Sequence, residues 1–260
     1  MLPPTSTWPS ARSRRSSRRQ RARAAAAQPA SAILVVYAAA DLDVAFREIK
    51  PLFEKATGAR VTLVMGSTGN LAKQIEHGAP ADVFFAANES FIDDLRAAGV
   101  VISRTRTLYA QGRIVLAVPK KSVIAVRELG DLLKPEVRRV AIANPAHAPY
   151  GRAAQEALER AGVWGKVKPK LVYGENIRHA LQFIETGAVE AGIVALSVAG
   201  VPDVRYVAID PKLHKPLNQV AAVVKRSARP DLGLAFIQFL NGPEGRPIMK
   251  RYGFLLPGEF

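Results

Sequence analysis

The chain of 260 residues contains no cysteine. That excludes a disulfide framework, a thiolate metal site and a thiol nucleophile, and it removes cysteine usage as a guide to redox compartment. No stretch reaches the roughly 18 consecutive apolar residues of a membrane-spanning helix, so the body reads as soluble. Acidic residues are scarce at the start: residues 1–32 carry seven arginines, at positions 12, 14, 15, 18, 19, 21 and 23, and no acid. Beyond them stand 30 basic against 22 acidic residues, so the formal charge of +15 falls to +8 for the body. Those charges are interspersed among helix patterns as on a solvated surface, which speaks against reading the whole chain as a nucleic-acid binder.

What is present is a globular composition, 48% hydrophobic with 18 Pro and 19 Gly, enough to bury two modest cores. Residues 1–32 show no periodic apolar pattern and read as an unstructured or processed leader. They have a basic start and end in Ala-Ser-Ala (30–32), as a signal-peptidase site does. The apolar stretch between is reduced to Ala24–Ala27, so the export signal is defective as written. The expectation is a misassigned start codon.

From residue 33 onward short apolar runs alternate with helical periodicity, the signature of parallel βα units. Strands are predicted at 33–37, 61–65, 82–86, 114–119, 137–143, 191–195, 204–209 and 220–224. Helices are predicted from Leu42 to Ala56 with Asp41 as N-cap, and at 70–77, 89–98, 151–161, 175–186, 231–240 and 244–251. Gly58, Gly78, Gly99, Gly162 and Gly187 each follow a polar or helical run, as a left-handed glycine past a helix end does. The expectation is a layered α/β protein with no short-period repeat.

Three segments place small polar residues where a strand hands over to a helix: 38–42 (Ala-Ala-Ala-Asp-Leu), 66–71 (Gly-Ser-Thr-Gly-Asn-Leu) and 144–151 (Asn-Pro-Ala-His-Ala-Pro-Tyr-Gly). In open α/β sheets ligands bind beyond the carboxyl ends of the strands, and a helix start presents free N–H groups with a favourable dipole. Small side chains let that backbone approach an oxygen, and the Ser67 and Thr68 hydroxyls add neutral donors. Enzyme signatures are missing: there is no Gly-x-Ser-x-Gly elbow, and the 66–71 loop lacks the Gly-Lys-Ser/Thr ending of a P-loop. His77, His147, His179 and His214 show no metal-ligand spacing and read as surface histidines. Asp93-Asp94 reads as the solvated face of an amphipathic helix.

Taken together, 37–42 (Tyr-Ala-Ala-Ala-Asp-Leu), the run 66–84 beginning Gly-Ser-Thr-Gly-Asn-Leu, 144–151 and the tail 250–254 (Lys-Arg-Tyr-Gly-Phe) resemble the molybdate-binding proteins of ABC importers, over nearly the whole body. The resemblance implies a two-lobed type II periplasmic binding protein fold with a ligand cleft between the lobes. Residues 33–113 plus 226–260 would form the first lobe and 114–225 the second. It implies a ligand set of Asp41, Thr68, Tyr150 and Ile177, flanked by Ala40 and Ser67, with Ile177 offering only its backbone N–H. It further implies no catalysis and no cofactor, molybdenum bound only as its oxyanion, and an ABC permease and ATPase as partners of a periplasmic monomer. Two departures stand out: relatives commonly have serine where this chain has Asp41, and some have tyrosine where it has Ala195.

Asp41 near a dianion would suffer roughly 4 kcal/mol per unit-charge pair at about 4 Å and an effective dielectric of 20. Three arrangements reconcile it with an anion: the carboxylate caps its own helix and only its N–H meets the ligand; it is protonated; or it accepts a proton from a hydrogen-oxyanion. The helix pattern starting at Leu42 favours the first. Beside the molybdate and tungstate reading stand another oxyanion (chromate, sulfate, phosphate) and, in a different class, the effector domain of a transcriptional regulator whose Arg-rich head contacts DNA.

Overall fold

The computed structural model describes residues 32–260, so the leader and its defective export signal lie outside the described residues. In chain order the elements are β1 (Ile33–Ala39), a 3₁₀ turn (Ala40–Leu42), α1 (Asp43–Thr57), β2 (Arg60–Gly66), α2 (Thr68–Glu76), β3 (Val83–Ala86), α3 (Glu89–Ala97), β4 (Thr107–Gly112), β5 (Ile114–Pro119), β6 (Val140–Ala143), α4 (Pro149–Arg160), α5 (Trp164–Val167), β7 (Leu171–Gly174), α6 (Ile177–Glu185), β8 (Ala191–Ala195), α7 (Leu196–Ala199), β9 (Val204–Ala208), β10 (Leu217–Val223), α8 (Pro230–Leu240) and α9 (Gly245–Arg251). The five glycines named above all have positive φ, between 69° and 98°. Glycine adopts that conformation without a Cβ penalty, which is why local sequence marked the stops.

The strands form two five-stranded sheets of matching design, β2-β1-β3-β10-β4 and β7-β6-β8-β5-β9. In each, four strands run one way and one runs against them: β1 pairs parallel with β2 and β3, β6 with β7 and β8, while β10 pairs antiparallel with β3 and β4, and β5 with β8 and β9. The chain crosses between sheets twice, through Arg113 between β4 and β5 and through 209–216 between β9 and β10. The two lobes are thus joined by ordered chain. The boundary expected at 225 moves: β10 pairs with β3 and β4 of the first sheet. Its apolar run satisfies either sheet equally, and only the antiparallel partners decide which one it joins.

Each sheet is covered on both faces, as parallel sheets require. In the first lobe Phe46 and Phe53 of α1 meet Phe85 of β3 and Phe236 of α8 edge to face, with ring centroids 4.9–5.6 Å apart. Leu71 and Ile75 of α2 and Ile92 and Leu95 of α3 cover its other face. In the second lobe Ala154 and Leu158 of α4 and Leu181 and Ile184 of α6 pack on β5, β6 and β8. No described helix is long and apolar enough to cross a membrane.

β4 and β7 were not foreseen. β4 (Thr-Leu-Tyr-Ala-Gln-Gly) and β7 (Leu-Val-Tyr-Gly) are edge strands, short or polar enough to give no clear period. Helix starts also lie earlier than periodicity suggested: α2 begins at Thr68 and α4 at Pro149. A first turn that faces a loop or the opposite lobe carries small and polar residues, so the apolar stripe starts late.

Candidate functional site

The carboxyl ends of β1, β2 and β3 in one sheet and the starts of α4 and α6 beside the other converge on a small cavity between the lobes, with about 10 Å³ of room for the centre of a water-sized group. That is far below the span of drug-sized pockets and leaves room for no more than one compact group. Ala39, Ala40 and Asp41 line it from the turn after β1, Gly66, Ser67 and Thr68 from the β2–α2 loop, Ala87 from the end of β3, and Ala148, Pro149, Tyr150 and Ile177 from the second lobe. All six residues expected at the site line this one cavity. No lysine or arginine is among its lining residues.

The donors come from helix starts. The first turn of a helix leaves N–H groups without an internal acceptor. At α6 the Asn176 side chain takes those of Arg178 and His179 at 3.0 and 3.1 Å, leaving the N–H of Ile177. At α4 no side chain caps the helix and Pro149 has no N–H, so the N–H groups of Tyr150 and Gly151 are left. At α2 Ser67 stands at the N-cap without a side-chain cap bond. Thr68 is buried, and its Oγ1 accepts from Ala87 N at 3.1 Å, tying α2 to the end of β3. Three helix starts facing one small cavity supply fixed donors and positive dipole ends, an arrangement suited to an anion held without a cationic side chain.

Contacts across the cleft close the lobes around it. His147 O accepts from Gly69 N at 2.9 Å, His147 Nδ1 lies 2.8 Å from Ser67 Oγ, and Ser197 Oγ donates to Asp41 O at 2.9 Å. Tyr150 Oη donates to Asp41 Oδ2 at 2.9 Å. The reading of the histidines as surface groups fails for two of them: His147 bridges the lobes, and His214, 3% exposed, is buried within the second crossing segment.

Asp41 does not cap α1. It sits inside the 3₁₀ turn, the N-cap of α1 is Leu42, and neither helix start has a side-chain cap bond. The turn inserted between β1 and α1 carries the carboxylate away from the helix N–H groups and toward the cleft. Oδ2 accepts from Gln219 Nε2 at 2.7 Å as well as from Tyr150. Gln219 Nε2 also donates to Tyr150 Oη at 2.8 Å, while its Oε1 accepts from Tyr109 Oη at 2.8 Å. Burial pushes the Asp41 carboxyl up to about 7, against the opposing effect of the Gln219 and Tyr150 hydrogen bonds. Burial, reinforced by the neighbouring Asp41 charge, raises both phenols well above their ordinary value, so Tyr109 and Tyr150 remain donors.

Gln219 and Tyr109 were missed in the sequence. Tyr109 lies on the unforeseen β4. Gln219 is wholly buried at the start of an apolar run, next to the half-buried Asn218, and a polar pair entering that run was the available signal. A bulge in the β10–β4 pairing falls between Gln219 and Val220, a device that re-aims a side chain. Gln219→Leu removes donors from Oδ2 and from Tyr150 while leaving β10 paired. The expected cost is about 1–3 kcal/mol, read as a lower urea midpoint at unchanged slope; an unchanged midpoint would show that the amide carries no weight.

The model of the family described as bacterial extracellular solute-binding protein matches residues 34–255. The chain belongs to that family. The solute-binding protein is 36% identical over 233 residues to the molybdate-binding protein ModA of Rhodobacter capsulatus, covering 88% of this chain and 91% of the relative. Against ModA of Escherichia coli it is 34% identical, covering 86% and 89%. Among solved structures it superposes on the periplasmic molybdate-binding protein of Azotobacter vinelandii with a TM-score of 0.81 at 29% identity, covering 86% of this chain and 99% of that one. Each of these relatives is named for binding molybdate. Ala195 is fully buried at the end of β8 and does not line the cavity of the solute-binding protein; the phenol there is that of Tyr150.

Proposed function

We propose that this solute-binding protein is the periplasmic, monomeric capture component of an ABC importer for molybdate, with tungstate taken equally, and that it delivers the ion to a membrane permease driven by an ATPase. The observation that carries this reading is the convergence of Ala40, Asp41, Ser67, Thr68, Tyr150 and Ile177, from both lobes, on one small cavity with donors at helix starts and no lysine or arginine. The molybdate-binding proteins among its relatives supply the identity of the ion.

The N–H groups of Tyr150 and Ile177, with the Ser67 and Thr68 hydroxyls, would donate to the ligand oxygens. Fixed neutral donors need little reorganisation when an anion arrives, because folding has already oriented them. Ligand shifts the protein toward the closed form because oxygens bound at one lobe complete contacts with the other. Size selection follows from donor spacing: sulfate and phosphate are smaller and cannot reach all donors together, whereas molybdate and tungstate are nearly the same size.

Thermal unfolding of residues 33–260 with molybdate, tungstate, sulfate, phosphate and chromate tests the proposal. Ligand at about 100 times its dissociation constant adds roughly 2.7 kcal/mol, a shift of about 5–10 °C for a chain of this size. The expected outcome is stabilisation by molybdate and tungstate alone. Stabilisation by sulfate or phosphate alone would reassign the ligand, and stabilisation by none would remove the oxyanion reading.

A further inference from the structure

Asp41 lines the cavity with one carboxylate oxygen committed and the other free. Oδ2 accepts from Tyr150 and from Gln219. Gln219 has its own carbonyl oxygen satisfied by Tyr109, which turns both amide hydrogens toward Asp41 and Tyr150. A proton on Oδ2 would meet those hydrogens head-on, so Oδ2 is the acceptor oxygen of the pair. Oδ1 is buried and has no partner. In a closed cavity lined by no basic side chain, an ionised Oδ1 beside an oxyanion is uncompensated, and an orphaned buried charge is among the most costly arrangements a protein can adopt.

A single hydrogen removes the conflict, because Oδ1 and a ligand oxygen that repel as two acceptors attract as O–H···O⁻, one of the stronger hydrogen-bond types. We infer that capture is proton-coupled in this protein: the lobes close with one proton held between Asp41 Oδ1 and an oxygen of the bound oxyanion. The inference rests on the oxyanion reading and deepens it. The site accordingly takes an oxyanion able to share a proton, and closure at a pH between about 4 and 7 takes a proton from solvent, since the open cleft would leave Asp41 hydrated and ionised.

The groups facing Asp41 from each packed element leave it as the one that titrates. Tyr150 of α4 and Tyr109 of β4 stay protonated, Gln219 of β10 and Ser197 of α7 are neutral, and Arg178 of α6 lies 3.7 Å from Asp43, with its Nη1 buried and without a partner. Arg113, at the crossing beside Gly112, hydrogen-bonds Gln111 and the Gly112 carbonyl. His147 reaches the cavity through Ser67 Oγ and holds Gly69 N–H with its carbonyl. The raised carboxyl described above agrees in direction with a proton retained on closure.

Calorimetric titration of the full chain with sodium molybdate at about pH 6, between the ordinary carboxyl value and the raised one, in two buffers of different ionisation enthalpy, tests the inference. The expected result is uptake of about one proton per ligand, with the dissociation constant rising about tenfold per pH unit from about 5 to 6. D41N offers a carboxamide oxygen to Tyr150 and Gln219 and an N–H in place of the shared proton; it should bind without uptake and with a flat pH profile. D41S, which keeps a hydroxyl donor, gives the same comparison should D41N fail to fold. Binding by wild type without uptake overturns the inference alone, as does uptake persisting undiminished in both variants, which places the proton on a group other than Asp41. Absence of molybdate binding by all three proteins at every pH overturns the oxyanion reading and this inference with it.

Discussion

Gly151→Ala lowers the stability of the ligand-free protein by about 3 kcal/mol or more and abolishes the ligand-induced rise in melting temperature. Gly151 is the third residue of α4, where the helix start rests on the end of β6. A Cβ there would overlap the carbonyl oxygen of Ala143 and lie 2.8 Å from its carbon and 3.0 Å from the carbonyl carbon of Asn144. All three atoms are backbone, and β6 is held between β7 and β8, so nothing flexible can give way. The helix must lift from the sheet, and Ala148, Pro149 and Tyr150 leave the cavity with it. A loss of about 3 kcal/mol corresponds to roughly 6–12 °C for a chain of this size, read by calorimetry or circular dichroism without ligand. A melting temperature equal to that of the wild type would show that α4 does not rest so closely on β6.

Gly69→Ala has the opposite sign in the free protein. Gly69 is the second residue of α2, and the nearest atoms a Cβ would meet all belong to His147: its carbonyl oxygen at 2.8 Å, its Cβ at 3.0 Å and its Cα at 3.1 Å. His147 is on the far side of the cleft, and its carbonyl also accepts the Gly69 N–H. With the lobes apart the added methyl meets none of these atoms, and alanine favours the helix by up to about 1 kcal/mol. With the lobes together it forces them apart at the mouth of the cavity, an overpacking cost of about 1–3 kcal/mol. The expected variant is as stable as the wild type or slightly more so without ligand, yet binds molybdate about ten- to hundredfold more weakly by calorimetric titration. A parallel loss of stability and affinity would place Gly69 in the folding of its own lobe and would contradict its role in closure.

These two glycines are neighbours of a helix start in sequence terms, and nothing in the residues around them distinguishes them. Both stand among small polar residues after a strand. One is pressed by the backbone of its own sheet and the other by a loop of the opposite lobe, a difference set by the paths of residues 144–148. The same division separates the two errors over Asp41 and β10. A carboxylate before an apolar helical stripe is an ordinary N-cap, but here a 3₁₀ turn intervenes and the side chain faces the cleft. An apolar run at 220–224 fits a strand in either lobe, and its partners lie more than a hundred residues earlier.

By itself the sequence determined what is local. Alternating strand and helix periods set an α/β chain, five glycines with no Cβ to clash set the helix stops, and three loops of small polar residues marked where an anion could meet backbone donors. Tertiary structure alone decided which of those loops meet, and what Asp41 does. Its partners Tyr150 and Gln219 lie 109 and 178 residues away, brought within hydrogen-bond distance by two chain crossings and a bulge. Burial and hydrogen-bond partnership are properties of that meeting, so the state of the carboxylate follows from the closed cleft and from no pattern along the chain.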